Sequence, residues 1–238
     1  MSGRTTSRHG LYYENMELYH VINKGVDGRT IFLDAQDYAR FVHDLYEFND
    51  TSPASEFLSV AIPEMSGRTT SRHRKRIVDI HGWTLMKNHY HLLLSERAEG
   101  GITLFLRKLS GYARYFNERH RRQGTLFQGR TKKILVERRE HFLYILHYLH
   151  LNPLDYLSGV KKWRERDKGT IPEIAKVLEY LKNYRWSSYL DYSGTANFPS
   201  ILTKTLFDRS LGGEYVSTLK EYLMDRAMED ISPKSLEY

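Results

Sequence analysis

Trp83-Thr-Leu-Met-Lys-Asn-His-Tyr-His-Leu-Leu-Leu94 is the stretch from which the fold can be read. Apolar residues on either side of a polar Lys87-Asn88 step read as two strands, Ile77 to Lys87 and His89 to Ser95, joined near Asn88. In the second strand, side-chain alternation puts His89 and His91 on one face. Their Cβ atoms lie about 7 Å apart, which lets two imidazoles converge on one divalent cation. Two satisfied histidines on a half-buried strand have the same pattern, so the pair needs partners before it means chemistry.

Outward from this hairpin, Leu18-Tyr-His-Val-Ile-Asn23 reads as a first strand and Gly25 to Gly28 as a turn. Asp37 to Phe48 reads as a helix with Phe41, Leu45 and Phe48 on one stripe, and Asn49 to Arg76 as a loop insertion. A further helix is expected from Ile102 to about Arg121, with Leu104, Leu106, Leu109, Ala113 and Phe116 on its apolar face and Gln123-Gly124 ending it. Lys132 to Val136 is a short strand, and Glu140 to Leu151 a helix stopped before Pro153. Beyond lie a helix near Ile171 to Lys182, the aromatic run Tyr184 to Tyr189 and a terminal helical pattern around Tyr215 to Met228. The early order β-α-β-β-α-β predicts an α+β fold: a ferredoxin-like antiparallel sheet with helices on one face, plus a helical C-terminal extension.

Met1-Ser-Gly-Arg-Thr-Thr-Ser-Arg-His9 recurs unchanged as Met65 to His73. The copies are too short and polar to be a solenoid repeat, so the duplication is placed outside the core. With 238 residues, 40% of them hydrophobic and 13% aromatic, the chain can bury a real core. Lys and Arg number 36 against 29 Asp and Glu, a formal charge of +7, and much of the excess falls between Arg107 and Arg139. A clustered basic surface points first to nucleic acid. The absence of cysteine excludes a disulfide framework, a thiolate nucleophile and a cysteine-based zinc site. With neither a signal-peptide pattern nor an apolar run near the ~18 residues of a membrane span, the expectation is a cytoplasmic protein with no membrane partner.

On the helix ending at Pro153, Phe142, Ile145 and Leu149 form a core-facing stripe and leave Tyr144, Tyr148 and Asn152 in register on another face. Tyr148 and Asn152 lie about 6 Å apart, a spacing that suits a phenol attacking a phosphate beside an amide oxygen in a metal's ligand set. Two histidines and a carbonyl oxygen suit Mg²⁺ or Mn²⁺. Taken alone, a tyrosine on a mostly buried helix is more often a packing residue with a satisfied hydroxyl, and this chain has 18 tyrosines.

Three motifs carry a resemblance: Met86-Lys-Asn-His-Tyr-His91, Tyr115-Phe-Asn117 through Gly124-Thr-Leu-Phe-Gln-Gly-Arg130, and Tyr148-Leu-His-Leu-Asn-Pro153. In order and spacing they resemble the single-tyrosine HUH transposases, in particular the REP-associated tyrosine transposase branch. Trp186-Ser-Ser-Tyr189 is similar to that branch's C-terminal aromatic motif. The resemblance spans Leu18 to Gly194, about three quarters of the chain, and departs from the family at Thr131, usually an aromatic, and at the 49–76 insertion. Residues 1–10 read as a basic arm, 11–160 with the 49–76 insertion as the nuclease domain that the resemblance implies, and 161–238 as a mainly helical extension. The resemblance also implies His89 and His91 as metal ligands, Asn152 as the third and Tyr148 as the nucleophile. The substrate it implies is single-stranded DNA with hairpin ends, cut through a 5′-phosphotyrosine by a monomer rather than a dimer.

Arg107, Lys108, Arg114 and Arg119 flank Tyr112, Tyr115 and Phe116, a basic helix able to track phosphates, although Tyr112 and Phe116 read better as core. Gln128, Arg130, Lys132 and Lys133 sit in and after a glycine-bracketed loop and are the better DNA contacts. Two other functions fit less well: a domesticated protein that binds structured nucleic acid without cutting it, and a metal-dependent hydrolase of small phosphates.

Overall fold

The structure is a computed structural model that describes residues 16–52, 74–137, 139–158, 160, 163 and 174–224. Both copies of the nine-residue repeat, the greater part of the 49–76 insertion and the chain beyond Met224 lie outside the described residues. Four strands, β1 (Leu18–Lys24), β2 (Val78–Met86), β3 (His89–Glu96) and β4 (Lys132–Leu135), form one antiparallel sheet in the order β2-β3-β1-β4. β2 and β3 are the hairpin expected around Asn88, with Met86 opposite His89. β1 lies between β3 and β4, so each of the two helical crossovers skips a strand, which is the ferredoxin-like arrangement.

The crossovers supply α1 (Ala35–Glu47), α2 (Gly101–Leu109) and α3 (Tyr112–Arg119). They cover one face of the sheet, where Val21, Tyr90, Leu92 and Leu94 are buried with Phe41, Leu45, Phe105, Leu109 and Tyr112. The single helix expected over 102–121 is two, broken at Ser110-Gly111. There the Ser110 hydroxyl bonds back to the Arg107 carbonyl. Hydrophobic period could not reveal the break, because Leu109, Tyr112 and Phe116 keep facing the same core across it.

The opposite face carries α4 (Arg139–Leu151), whose Phe142, Ile145 and Leu149 share a core with Leu18 and Leu93. α4 comes down on β2 at Gly82, where a Cβ would lie 2.7 Å from Leu146 Cδ1. Glycine makes that approach possible. The extension, α5 (Ile174–Asn183), α6 (Tyr189–Tyr192), α7 (Thr205–Ser210) and α8 (Tyr215–Met224), shares this second core through Val177, Leu181, Tyr189, Phe207 and Leu219. It therefore adds a layer beyond the ferredoxin-like unit. Among the described residues no helix is long and apolar enough to cross a membrane.

The aromatic motif has a structural role: it runs along the outer edge of β2. The Leu85 N–H donates to the Trp186 carbonyl at 2.9 Å, the Ser188 N–H to the Trp83 carbonyl at 2.9 Å, and the Trp83 N–H to Ser188 Oγ at 3.0 Å. An open strand edge is thus paired rather than left to recruit other chains. His150 of α4 meets the same Ser188 hydroxyl through Nε2 and the Tyr215 hydroxyl through Nδ1, both at 2.6 Å. Burial holds its pKa well below the usual value, so the ring is neutral and uses one nitrogen as donor and the other as acceptor. Sheet edge, α4 and α8 are joined through that one imidazole.

Candidate functional site

Alternation along β1 and β3 builds the site. The register places His20 opposite Leu93, Ile22 opposite His91 and Lys24 opposite His89, so these side chains share the face that α4 covers. The rings of His89 and His91 lie 4.9 Å apart, close to perpendicular at 79°. His20, fully buried, sits diagonally across from His91. Its Nε2 is 3.0 Å from His91 Nδ1, with the ring centroids 5.2 Å apart and the planes within 11° of parallel. A third histidine therefore belongs to the group that sequence reading built from two. The alternation His20, Ile22, Lys24 gives its face, but which strand lies beside β1 is a fact of tertiary structure.

Asn88 fixes the proton on His89. Its Nδ2 donates to the Gly28 carbonyl at 3.2 Å, which turns Oδ1 toward His89 Nδ1 at 2.7 Å. A carboxamide oxygen only accepts, so Nδ1 carries the proton and the lone pair of neutral His89 sits on Nε2.

Tyr148 reaches the same group from α4. Its ring stands edge-on to His20 at 6.1 Å and to His91 at 6.2 Å. The helix is held in place by Thr84, the cross-strand neighbour of His91, whose hydroxyl donates to the Leu149 carbonyl at 2.9 Å. Tyr148 is 2% exposed, with Trp163 5.9 Å from its ring, and the Trp163 indole N–H is held by Asp155 Oδ1 at 2.9 Å. Asn152, also buried, donates from Nδ2 to the carbonyls of Tyr148 at 2.9 Å and Leu149 at 3.4 Å, so Oδ1 is the atom it can offer a cation. The three residues in register on α4 thus have different surroundings. Tyr144 stacks on Tyr222 of α8 at 5.3 Å, Tyr148 meets the histidines, and Asn152 closes its own helix end.

Beside the histidines opens a cavity of about 350 Å³. Its wall includes His89 and His91, the cations Lys24, Arg130 and Lys132, the amide of Gln128 and one carboxylate, Asp155. The 126–130 loop is fastened to the end of β1: the Gln128 N–H donates to the Lys24 carbonyl at 2.7 Å and the Val26 N–H to the Leu126 carbonyl at 3.0 Å. The turn between them requires Gly25, since a Cβ there would lie 2.2 Å from the Arg29 carbonyl oxygen. Lys24 and Asp155 were not singled out from sequence. Lys24 follows His20 and Ile22 on the same alternation, whereas Asp155 lies in the tight 3₁₀ turn Asn152–Tyr156, where no periodic signal applies.

No family model matches the chain, and no curated protein does. A solved structure is similar. It is that of a REP-associated tyrosine transposase bound to a REP hairpin, 10% identical, with 80% of this chain and 87% of that one covered and a TM-score of 0.47.

The other basic residues separate by face. Lys132 pairs with Ile22 and joins the cavity, while Lys133 points to the opposite side and donates to Thr103 of α2 at 3.0 Å. Arg107, Lys108, Arg114 and Arg119 belong to the helical layer across the sheet from the histidines. Arg107 is exposed, and Arg114 pairs with Glu118 on the surface at 2.7 Å. The Lys108 ammonium donates to the carbonyls of Asp50 and Ser52. Arg119 holds the start of α1: it bonds Asp34 at 2.7 Å, the helix cap, and the buried carboxylate of Asp37. That guanidinium keeps the Asp34 carboxyl below the usual carboxylate range. Arg119→Ala is therefore expected to cost about 2–3 kcal/mol, because it leaves Asp37 with one cationic partner fewer. Equilibrium urea unfolding should show the loss. Unchanged stability would mean that the buried Asp37 carboxylate does not depend on Arg119.

By donor type alone, two imidazoles and an amide oxygen suit a hard or borderline divalent cation. His89 presents the Nε2 lone pair, His91 stands beside it, and Asn152 has an amide oxygen at the end of the neighbouring helix. Among the described residues, no three His, Asp or Glu side chains group in a way that could hold a metal.

Proposed function

We propose that this protein is a metal-dependent endonuclease and transposase that cuts and rejoins single-stranded DNA with hairpin ends through Tyr148. The observation that carries the reading is the meeting of Tyr148 with the histidine face of the sheet, beside a cavity bearing Lys24, Arg130 and Lys132. Those cations would seat the phosphates on either side of the scissile one. His89, His91 and Asn152 would hold Mg²⁺ or Mn²⁺, which when bound polarises the scissile phosphate and stabilises the charge that builds up on attack. Tyr148 Oη forms the new bond to phosphorus as the P–O3′ bond breaks. The phenolic proton passes to solvent, and the departing oxygen takes up a proton to become a 3′-hydroxyl. The 5′-phosphotyrosine conserves the phosphodiester bond, so joining to another 3′ end requires no nucleotide cofactor. Because Tyr148 is almost fully buried, the reaction requires its phenol to become accessible to the substrate. The hairpin preference and the monomeric state rest on the sequence resemblance.

A second reading, a non-cleaving protein that binds structured nucleic acid, is favoured by that same burial of Tyr148. Incubation with a 5′-labelled and a 3′-labelled single-stranded oligonucleotide and Mn²⁺, followed by denaturing electrophoresis, separates the two. A covalent adduct on the 3′-labelled strand alone supports cutting, and its absence from both supports binding.

Either reading predicts salt-sensitive affinity, with log K falling against log [salt] by about 0.7 per phosphate neutralised. Arg130→Ala and Lys132→Ala should each flatten the slope by about that amount, while Arg107→Ala, on the far layer, should leave it unchanged. Fluorescence anisotropy from low to high salt measures this. Flattening by Arg107→Ala alone would move the binding surface to α2.

A further inference from the structure

The proposed site uses two histidines, and both are held by their Nδ1 atoms. Asn88 Oδ1 holds that of His89, and His20 Nε2 holds that of His91. The two anchors differ in kind. Asn88 can only accept at Oδ1, which settles the His89 proton, whereas an imidazole nitrogen either donates or accepts. The tautomer of the His20–His91 pair is therefore a property the protein has to select.

We propose that His20 is a positioning residue: it accepts the Nδ1 proton of His91 and so puts the lone pair of neutral His91 on Nε2, the same atom as in His89. This rests on the function proposed above for what the lone pair is used for, while the tautomer itself is independent of it. Three features carry the inference. The Nε2–Nδ1 distance of 3.0 Å is a full hydrogen bond, and the two ring planes lie within 11° of parallel with centroids 5.2 Å apart, so the N–H of one points in its own plane at the nitrogen of the other. Both rings are buried within the sheet face, so bulk water does not compete for the bond. Tyr148 stands edge-on to both rings, at 6.1 and 6.2 Å, so a rotation of either imidazole would disturb the nucleophile's packing too. Free histidine favours the Nε2–H form, and a ligating histidine normally depends on a second group to hold its other nitrogen protonated. The interior of β1 supplies that group here in the form of a third histidine.

Two measurements on the full chain test the inference. Long-range ¹H–¹⁵N correlation spectra, recorded without metal and with the imidazoles neutral, report which nitrogen of His91 carries the proton. The expected pattern is Nδ1–H for both His89 and His91. In His20→Leu, of similar bulk but without a polar atom, His91 should revert to Nε2–H while His89 keeps its pattern. In His20→Gln, whose terminal amide reaches a comparable position and can accept, the Nδ1–H form of His91 should return. Mn²⁺ affinity by electron paramagnetic resonance should follow the tautomer, falling about 10–100-fold in His20→Leu and recovering at least partly in His20→Gln. Finding His91 as Nε2–H in the unaltered chain overturns the inference, as does an unchanged His91 pattern in a folded His20→Leu. Should His20→Leu fail to fold, the spectrum of the unaltered chain and that of His20→Gln decide between the same two results. Nδ1–H at His91 in a protein that binds no Mn²⁺ would uphold the positioning role and overturn the metal reading.

Discussion

Tyr148→Phe is expected to abolish covalent capture of a single-stranded oligonucleotide, lowering adduct formation by at least about 10³-fold while affinity changes by less than about twofold. Only the attacking oxygen is removed. The ring that packs edge-on against His20 and His91 and beside Trp163 is retained, so the packing around it should survive. The control is Tyr144→Phe. Tyr144 lies one turn earlier on α4 with its ring stacked on Tyr222, in the layer that joins α4 to α8. Its variant should form the adduct at nearly the parental rate. An active Tyr148→Phe with an inactive Tyr144→Phe would mean that α4 presents its other side to the substrate. Loss in neither would mean that the bond-forming oxygen is not on α4.

The parts of the site that were legible in sequence are those governed by local period. The period of two in His89-Tyr-His91 fixed a shared face, and the order of strands and helices fixed the ferredoxin-like sheet, because few topologies accommodate β-α-β-β-α-β. Pro153 marked the end of α4. What sequence left open depends on which elements become neighbours. His20 meets His91 only because β1 inserts between β3 and β4. The adjacent Lys132 and Lys133, both expected as DNA contacts from their place beside the glycine-bracketed loop, go to opposite faces because the strand alternates. Arg119 shares a sequence neighbourhood with exposed Arg114, yet it is engaged by Asp34 and Asp37, 85 and 82 residues earlier. Charge clustering along a sequence shows that a basic surface exists. It cannot show which cations are already committed to carboxylates or carbonyls of the same chain.

Metal dependence gives the other large expected effect. Changing His89 and His91 together to Ala should eliminate Mn²⁺ binding measurable by electron paramagnetic resonance and leave cleavage at background at every Mn²⁺ concentration, because two imidazole nitrogens are the principal donors the site offers. Asn152→Ala should behave differently. It removes one neutral oxygen, so affinity for the ion should fall about 10–100-fold and excess Mn²⁺ should restore much of the cleavage. It also removes the Nδ2 bonds to the carbonyls of Tyr148 and Leu149, at a cost of about 1 kcal/mol, so its melting temperature should fall slightly even without metal. The metal titration and the metal-free melt thus separate two roles of one side chain. A drop in melting temperature with unchanged Mn²⁺ affinity would make Asn152 a helix-end clasp and remove it from the ligand set. Equal rescue of both variants, or cleavage that persists in chelator, would reduce His89 and His91 to packed strand residues, and the cationic cavity beside them would then serve binding alone.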